Sequence, residues 1–335
     1  MNRIKSIVTG GAGFIGSHLV DLLIEKGHEV HVIDNLRGGR FSNIEKHSSN
    51  SFFFFHELDI LDLKSNSKIF ENVSYVFHLA GIGEIIPSIE NPDLYFNVNV
   101  QGTVKVLEAA RKNNVKKFVY AASSSCYGLS EVPTNENSPI SPLYPYAMSK
   151  YLGEQISFHW SRVYDLEVNS ICIFNAYGTR LKTNGAYGAV FGVFLKQKLA
   201  SKPYTVVGDG KQKRDFVYVT DVVKAFLLAA ETKITGERFN LGAGSPKSIN
   251  ELILLLEGPY ISLPTRPGEP NITYADITKI TELLNWKPEV AFNEGVALMI
   301  DDIDYWREAP LWDQNSIQKA TKSWFEFMSP KSRSI

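Results

Sequence analysis

Eight residues near the start constrain the fold more than anything else in the chain: Thr9-Gly10-Gly11-Ala12-Gly13-Phe14-Ile15-Gly16. They stand between an apolar run at 4–9 that reads as a strand and an amphipathic pattern at 14–26 that reads as a helix. Gly10 permits the tight turn, Gly13 lets a phosphate approach the backbone, and Gly16 lets the helix pack close to the strand. The turn aims the unpaired N–H groups of a helix N-terminus at one point, which suits a pyrophosphate. Glycine spacing alone is weak evidence, but here a strand, a helix and a following acid frame it. That acid is Asp34, in Val32-Ile33-Asp34-Asn35 at the end of the second apolar run. A carboxylate there accepts hydrogen bonds from adenosine ribose hydroxyls and repels a 2′-phosphate, so NAD is the expected cofactor. Arg37 and Arg40 follow closely and leave a phosphate-binding alternative open.

The rest of the first half repeats the alternation. Strands are expected at 4–9, 29–34, 52–56, 75–79, 117–122 and 167–174, with helices at 14–26, 63–70, 97–113 and 147–163. That pattern predicts an α/β fold with a doubly wound parallel sheet. Beyond residue 174, glycine- and proline-rich loops mix with short irregular elements. The division expected is therefore a dinucleotide-binding domain over 1–174 and a second lobe over 175–335, with 215–232 able to return to the first. Trp306, Trp312 and Trp324 in the tail predict a packed helical ending.

Composition narrows the function classes. A formal net charge of −1 gives no basic footprint for nucleic acid. Cys126 and Cys172 have no zinc spacing and suggest no disulfide framework; Cys126 reads as a small apolar filler. His18, His78 and His159 have no metal-ligand spacing, so no metal is expected. No secretory leader and no bilayer-length apolar run is evident, which makes the expected location cytoplasmic.

Two segments carry chemistry. Ser123-Ser124-Ser125-Cys126-Tyr127-Gly128 follows the fifth expected strand, and Tyr146-Ala147-Met148-Ser149-Lys150 opens the next helix. Residues four apart share one helix face, so Tyr146 and Lys150 can point at one site. An ammonium and a cationic nicotinamide beside a phenol both favour the phenolate, bringing its pKa down from about 10. Tyr146 is then suited to take a hydroxyl proton, with Ser123 bonded to the same hydroxyl. Chance supplies many Tyr-x-x-x-Lys pairs; this one gains weight from the serine cluster, five strands and glycine turn before it.

In this order the segments resemble the extended short-chain dehydrogenase/reductases, in the group of sugar-nucleotide epimerases and dehydratases. The resemblance runs from Ile4 to about Pro288 and is nearest to the 4-epimerases of UDP-glucose and UDP-N-acetylglucosamine. It implies a Rossmann-type lobe holding NAD and a smaller mixed α/β lobe closing over a nucleotide sugar. It implies catalytic roles for Ser123, Tyr146 and Lys150, with Lys150 also on the nicotinamide ribose. Gly10, Gly13, Phe14, Ile15, Gly16, Asp34, Asn35, Asp59, Ile60, Leu79, Ala80, Gly81 and Asn99 would hold the rest of the cofactor. Ser124 and Ser125 would contact substrate. Phe174-Asn175-Ala176-Tyr177-Gly178-Thr179-Arg180 resembles a segment whose Asn meets the substrate diphosphate, with Thr179 in place of the usual proline. Arg214 and Arg266 correspond to diphosphate-binding arginines, a task that suits a guanidinium fork, and Glu269 to a residue on ribose hydroxyls. Thr273 falls where the family places a residue against the sugar's carbon 2 substituent. Asn184-Gly185-Ala186-Tyr187 resembles the branch that accepts N-acetylated hexosamines. A homodimer through the helices near 97–113 and 147–163 is also implied.

Within the group, the residues favour a 4-epimerase. A 4,6-dehydratase must expel water from carbon 6, and that branch carries an Asp-Glu pair after its catalytic Thr or Ser. Ser124-Ser125 stand there in this chain, and a hydroxyl protonates a leaving group poorly at neutral pH. A dehydratase, a uronate decarboxylase, an epimerase at another carbon and a non-catalytic NAD-binding protein remain the alternatives.

Overall fold

The six apolar runs expected as strands are strands in the structure, a computed structural model that describes residues 3–183 and 190–329. They are β1 (Lys5–Thr9), β2 (Glu29–Asp34), β3 (Phe53–Glu57), β4 (Tyr75–His78), β5 (Lys117–Ser123) and β6 (Glu167–Ile173). A seventh strand that the sequence reading did not anticipate, β7 (Arg238–Leu241), completes a parallel sheet of order β7-β6-β5-β4-β1-β2-β3. Ile7, Val8, Val32, Ile33, Val76, Phe77, Phe118 and Val119 are fully buried. This is why the strands read as continuous apolar runs: a parallel sheet is covered on both faces. The strand order reverses between β1 and β4, and the crevice at the carboxyl ends of the strands there is where such sheets bind ligands.

Helices α1 (Phe14–Glu25) and α4 (Val219–Glu231) share one core, with Leu19, Val20 and Leu23 packed in the same cluster as Val222, Val223 and Phe226. On the other face lie α2 (Gly102–Lys112) and α3 (Pro145–Tyr164), whose Val106, Leu107, Tyr151 and Ile156 join the cluster holding Val76 and Phe118. Pro145 occupies the first helical turn, where its missing N–H is not needed and its φ suits the helix. Thus α3 starts two residues earlier than expected. The expected helix at 63–70 is not formed. The chain makes a 3₁₀ turn at Ile60–Asp62, extends through Leu63 and turns again at Lys68–Phe70. Ser65, Asn66 and Ser67 explain it, because their short polar side chains compete for backbone groups. Leu63 and Phe70 still reach the core. The helix expected at 97–113 opens instead with a wider π-helical turn, Asn97–Gln101.

The second lobe is mixed α/β around an aromatic cluster of Tyr177, Phe191, Phe194, Tyr204, Phe216, Tyr218, Trp306 and Trp324. Its strands come in pairs: Asn175–Tyr177 with Phe216–Tyr218, Tyr204–Val207 with Tyr260–Leu263, and Lys213–Arg214 with Lys247–Ser248. The tail ends in helices Gln314–Ala320 and Lys322–Met328. Among the described residues no helix is long and apolar enough to cross a membrane.

Candidate active site

A cavity of about 1000 Å³ opens along the carboxyl ends of β1, β2, β4 and β5. Its lining takes in Gly10, Gly13, Phe14, Ile15, Gly16, Asp34, Asn35, Asp59, Ile60, Leu79, Ala80 and Gly81 from the cofactor set. It also takes in Ser123, Ser124, Ser125, Tyr146, Lys150, Asn175, Arg214, Arg266, Glu269 and Thr273. Residues drawn from positions 10 to 273 therefore meet in one space.

At one end stands the glycine turn. Gly10 has φ +71°, and a Cβ there would lie 2.7 Å from the Ala80 amide nitrogen, so the loop after β4 closes tightly on it. A Cβ on Gly16 would stand 2.2 Å from the Gly10 carbonyl oxygen. Gly13 is the N-cap of α1 and offers no side chain to its first turn, which leaves those amides for a ligand. The Asp34 carboxylate accepts from the Ala12 amide at 3.0 Å and the Leu36 amide at 2.8 Å, which fixes it beside the turn. Burial raises its pKa, against those two hydrogen bonds. A carboxylate has about four acceptor positions, so it can still serve a ribose. Arg40 is drawn instead to the Thr183 hydroxyl and the Tyr305 ring. An uncapped helix N-terminus, a turn with no room for side chains and a fixed carboxylate fit a dinucleotide lacking a 2′-phosphate.

Asn99 is the exception among the expected contacts, because it lies behind the cavity wall. Its Nδ2 donates to the Ser149 hydroxyl at 2.9 Å and the Ile82 carbonyl at 3.1 Å, and its Oδ1 accepts from the Ile82 amide at 2.8 Å. From inside the π-helical turn it holds the loop that starts at Gly81.

Tyr146 and Lys150 stand on one face of α3, as the spacing required. Ser123 acts on the Tyr146 phenol and holds its pKa down, and the Tyr146 ring stacks on Tyr144 and meets Tyr95 edge-on. Lys150 is buried with its Nζ 4.5 Å from the Tyr120 ring centre. Burial brings its pKa down to about 8, against the Glu154 charge. The expected lowering of the Tyr146 pKa does not come from the protein's own groups. Burial pushes the phenol above its ordinary value, and the Ser123 hydrogen bond offsets this only in part. The nicotinamide, the second cation expected to favour the phenolate, would add its charge beside the phenol when NAD is bound.

At the far end, Arg214 donates to Glu269 Oε1 at 2.7 Å and to the Pro270 carbonyl at 2.9 Å. Arg266 Nη1 lies 3.7 Å from Glu269 Oε2, and that oxygen is buried with no hydrogen-bond donor among the described residues. A buried acceptor lacking a donor fits the hydroxyl groups of a ribose. Asn175 Oδ1 accepts from the Thr273 hydroxyl at 2.7 Å, so Thr273 faces the cavity and not the lobe's exterior. Residues 184–187 lie outside the described residues.

Sequence reasoning missed several lining residues: Glu84, Tyr95, Tyr144, Lys182, Trp312 and Trp324. Tyr144 stands two positions before Tyr146 and was within reach of a closer reading. Glu84 and Lys182 are 98 positions apart, and nothing local links them. His78, read as structural, bridges the Thr9 and Thr103 hydroxyls, and His18 contacts the Thr179 carbonyl.

Comparisons with known proteins agree with this geometry. The model of the NAD dependent epimerase/dehydratase family matches residues 6–242. The chain is 40% identical to a protein named putative UDP-glucose 4-epimerase from Methanocaldococcus jannaschii, across 88% of this chain and 97% of that one. It is 32% identical to UDP-glucuronic acid decarboxylase 4 of Arabidopsis thaliana, across 96% of this chain and 72% of that one. Its fold is similar to that of UDP-N-acetylglucosamine 4-epimerase from Methanobrevibacter ruminantium, solved with UDP-N-acetylmuramic acid. The TM-score is 0.85 at 32% identity, over 91% of this chain and 98% of that one. The glycine turn, the Ser123–Tyr146–Lys150 centre and these matches together make the chain a member of the NAD dependent epimerase/dehydratase family.

Proposed function

We propose that the protein is a 4-epimerase of a nucleotide-activated hexose, of the UDP-glucose/galactose or UDP-N-acetylhexosamine type. The observation that carries this reading is that Tyr146 lines one cavity together with the dinucleotide turn and the Arg214–Glu269–Arg266 cluster. Bound NAD⁺ supplies the acceptor for hydride from sugar carbon 4 and the source from which it returns. Tyr146 takes the carbon 4 hydroxyl proton as the 4-keto sugar forms, and gives a proton back when hydride adds to the opposite face. Ser123 aligns that hydroxyl. Lys150 holds the nicotinamide ribose, and Asp34 the adenosine ribose. Arg214 and Arg266 hold the diphosphate while the keto sugar turns about it, and Glu269 takes the nucleoside ribose.

A dehydratase needs an acid for the leaving hydroxyl. Ser124 and Ser125 occupy the expected place, and the carboxyl group that the fold adds nearby, Glu84, is ion-paired to Lys182. The greater identity to a protein named as a 4-epimerase also favours epimerase over decarboxylase. The proposal includes a cytoplasmic homodimer, joined through the helical faces around 97–113 and 147–163. It also includes a cofactor domain of residues 1–174 to which the chain returns as α4 and β7, a return that starts later than the expected 215–232 and runs on past it.

The test is turnover of a panel of UDP-, dTDP-, GDP- and CDP-hexoses by wild type and Tyr146→Phe. Wild type should interconvert at least one carbon 4 pair, and the variant should lose about 10²–10⁴ in rate while keeping its NAD. Full activity in the variant would remove Tyr146 from the mechanism.

A further inference from the structure

Most charged side chains lining the cavity already have a place in this scheme. Asp34 and Asp59 stand at the dinucleotide end, Arg214, Arg266 and Glu269 at the other, and Lys150 beside Tyr146, while Arg37, three residues after Asp34, sets its charge against that of Glu84 on the Tyr95 phenol. An ion pair between Glu84 and Lys182 has none.

The pair belongs to the sugar's part of the cavity. Glu84 ends the loop that begins at Gly81, and a Cβ on Gly81 would lie 3.8 Å from Lys150 Nζ. The Glu84 charge also reaches the Tyr146 and Tyr95 phenols and contributes to the upward shift of both. Lys182 comes from the other side, on the loop that follows strand Asn175–Tyr177. Both side chains keep part of their surface open, 24% for Glu84 and 35% for Lys182, and both line the cavity. The pair is thus presented to a ligand and not sealed in the core.

A lone lysine at this place would make an anion site. Glu84 cancels that charge and occupies one of three ammonium donors, leaving two for neutral acceptors. A sugar carboxylate would have to displace Glu84 from Lys182 or lie against a like charge, and either is costly in a partly dehydrated pocket. Hydroxyl and amide groups meet no such cost. We propose that the Glu84–Lys182 pair makes the pocket select uncharged hexoses over hexuronates, with Glu84 as the residue that turns the carboxylate away. This rests on the reading of the cavity as a nucleotide-sugar site.

The experiment is calorimetric binding of UDP-glucose and UDP-glucuronate to the NAD-loaded protein in a Tyr146→Phe background, which keeps the ligands unchanged. UDP-glucose should bind about tenfold more tightly than UDP-glucuronate. Adding Glu84→Gln should strengthen UDP-glucuronate about tenfold and leave UDP-glucose within about threefold. Adding Lys182→Met should weaken UDP-glucuronate further, because Glu84 is then unopposed. Equal affinity for the two sugars with Glu84 present would overturn the proposal. So would an equal change for both in Glu84→Gln, which would mark the pair as a structural tie between two loops. Binding of neither sugar by any variant would overturn the proposal together with the reading of the cavity as a site for plain UDP-hexoses, an outcome distinct from the other two.

Discussion

Thr273 donates its hydroxyl to Asn175 at 2.7 Å and accepts from the Asp215 amide at 3.2 Å, so its side chain is held at the cavity wall. A small residue there leaves room for a bulky group on sugar carbon 2. Thr273→Tyr should therefore lower kcat/KM for an N-acetylhexosamine nucleotide about tenfold more than for its plain hexose counterpart, since steric exclusion acts on the difference between substrates. Equal losses for both, measured side by side, would show that Thr273 is not the gate. At this scale the sequence was most legible where chemistry depends on spacing within one element. Tyr146 and Lys150 lie one helical turn apart, and Gly10, Gly13 and Gly16 share one turn. It was least legible where partners come from separate loops, as with Glu84 and Lys182. The burial that raises the Tyr146 phenol was not legible either, because burial cannot be read from a residue's neighbours in sequence.

At the scale of elements, the buried Asp215 carboxylate joins the substrate-side loops. It accepts hydrogen bonds from the amides of Ala243, Gly244, Ser245 and Ala275, one residue after Arg214. Asp215→Ala would leave these amides without their acceptor, and the expected cost is about 3–5 kcal/mol of unfolding free energy. Urea unfolding measures it, and a loss under about 1 kcal/mol would mean that water replaces the carboxylate. Elements with long apolar runs were legible: all six expected strands form within a residue or so of their predicted ends. The helix expected at 63–70 failed because Ser65-Asn66-Ser67 favours turns, a local preference that apolar spacing concealed. β7 escaped notice because Arg238-Phe239-Asn240-Leu241, although it alternates polar and apolar, is only four residues long, and so short an alternation arises often by chance. Its place beside β6 is a tertiary fact.

For the whole molecule, acid sensitivity follows from buried imidazoles. His78 is brought down to about 3 by burial, and His18 and His31 to about 4, with burial the largest cause in each. Between these values and about 6.5 the unfolded chain binds more protons than the folded one, so stability falls as pH falls through that window. His78 alone contributes a slope of up to about 1.4 kcal/mol per pH unit. Urea midpoints between pH 7 and pH 5 should fall accordingly, with a shallower slope in His78→Asn; a flat profile would contradict neutral burial. The fold class was readable in the sequence because a parallel sheet imposes its alternation over long stretches. The irregular second lobe, assembled from short paired strands and aromatic packing, was readable only as a change of texture. The account as a whole turns on one reaction, hydride leaving and returning to sugar carbon 4. The most direct test is proton NMR and mass analysis of UDP-glucose and, separately, UDP-N-acetylglucosamine incubated with the wild-type protein in D₂O. At least one of them should give its carbon 4 epimer with mass unchanged, the carbon 4 proton retained and no solvent deuterium in the ring. Deuterium at a sugar carbon, loss of water from the product, or no new epimer from UDP-glucose or UDP-N-acetylglucosamine would contradict it.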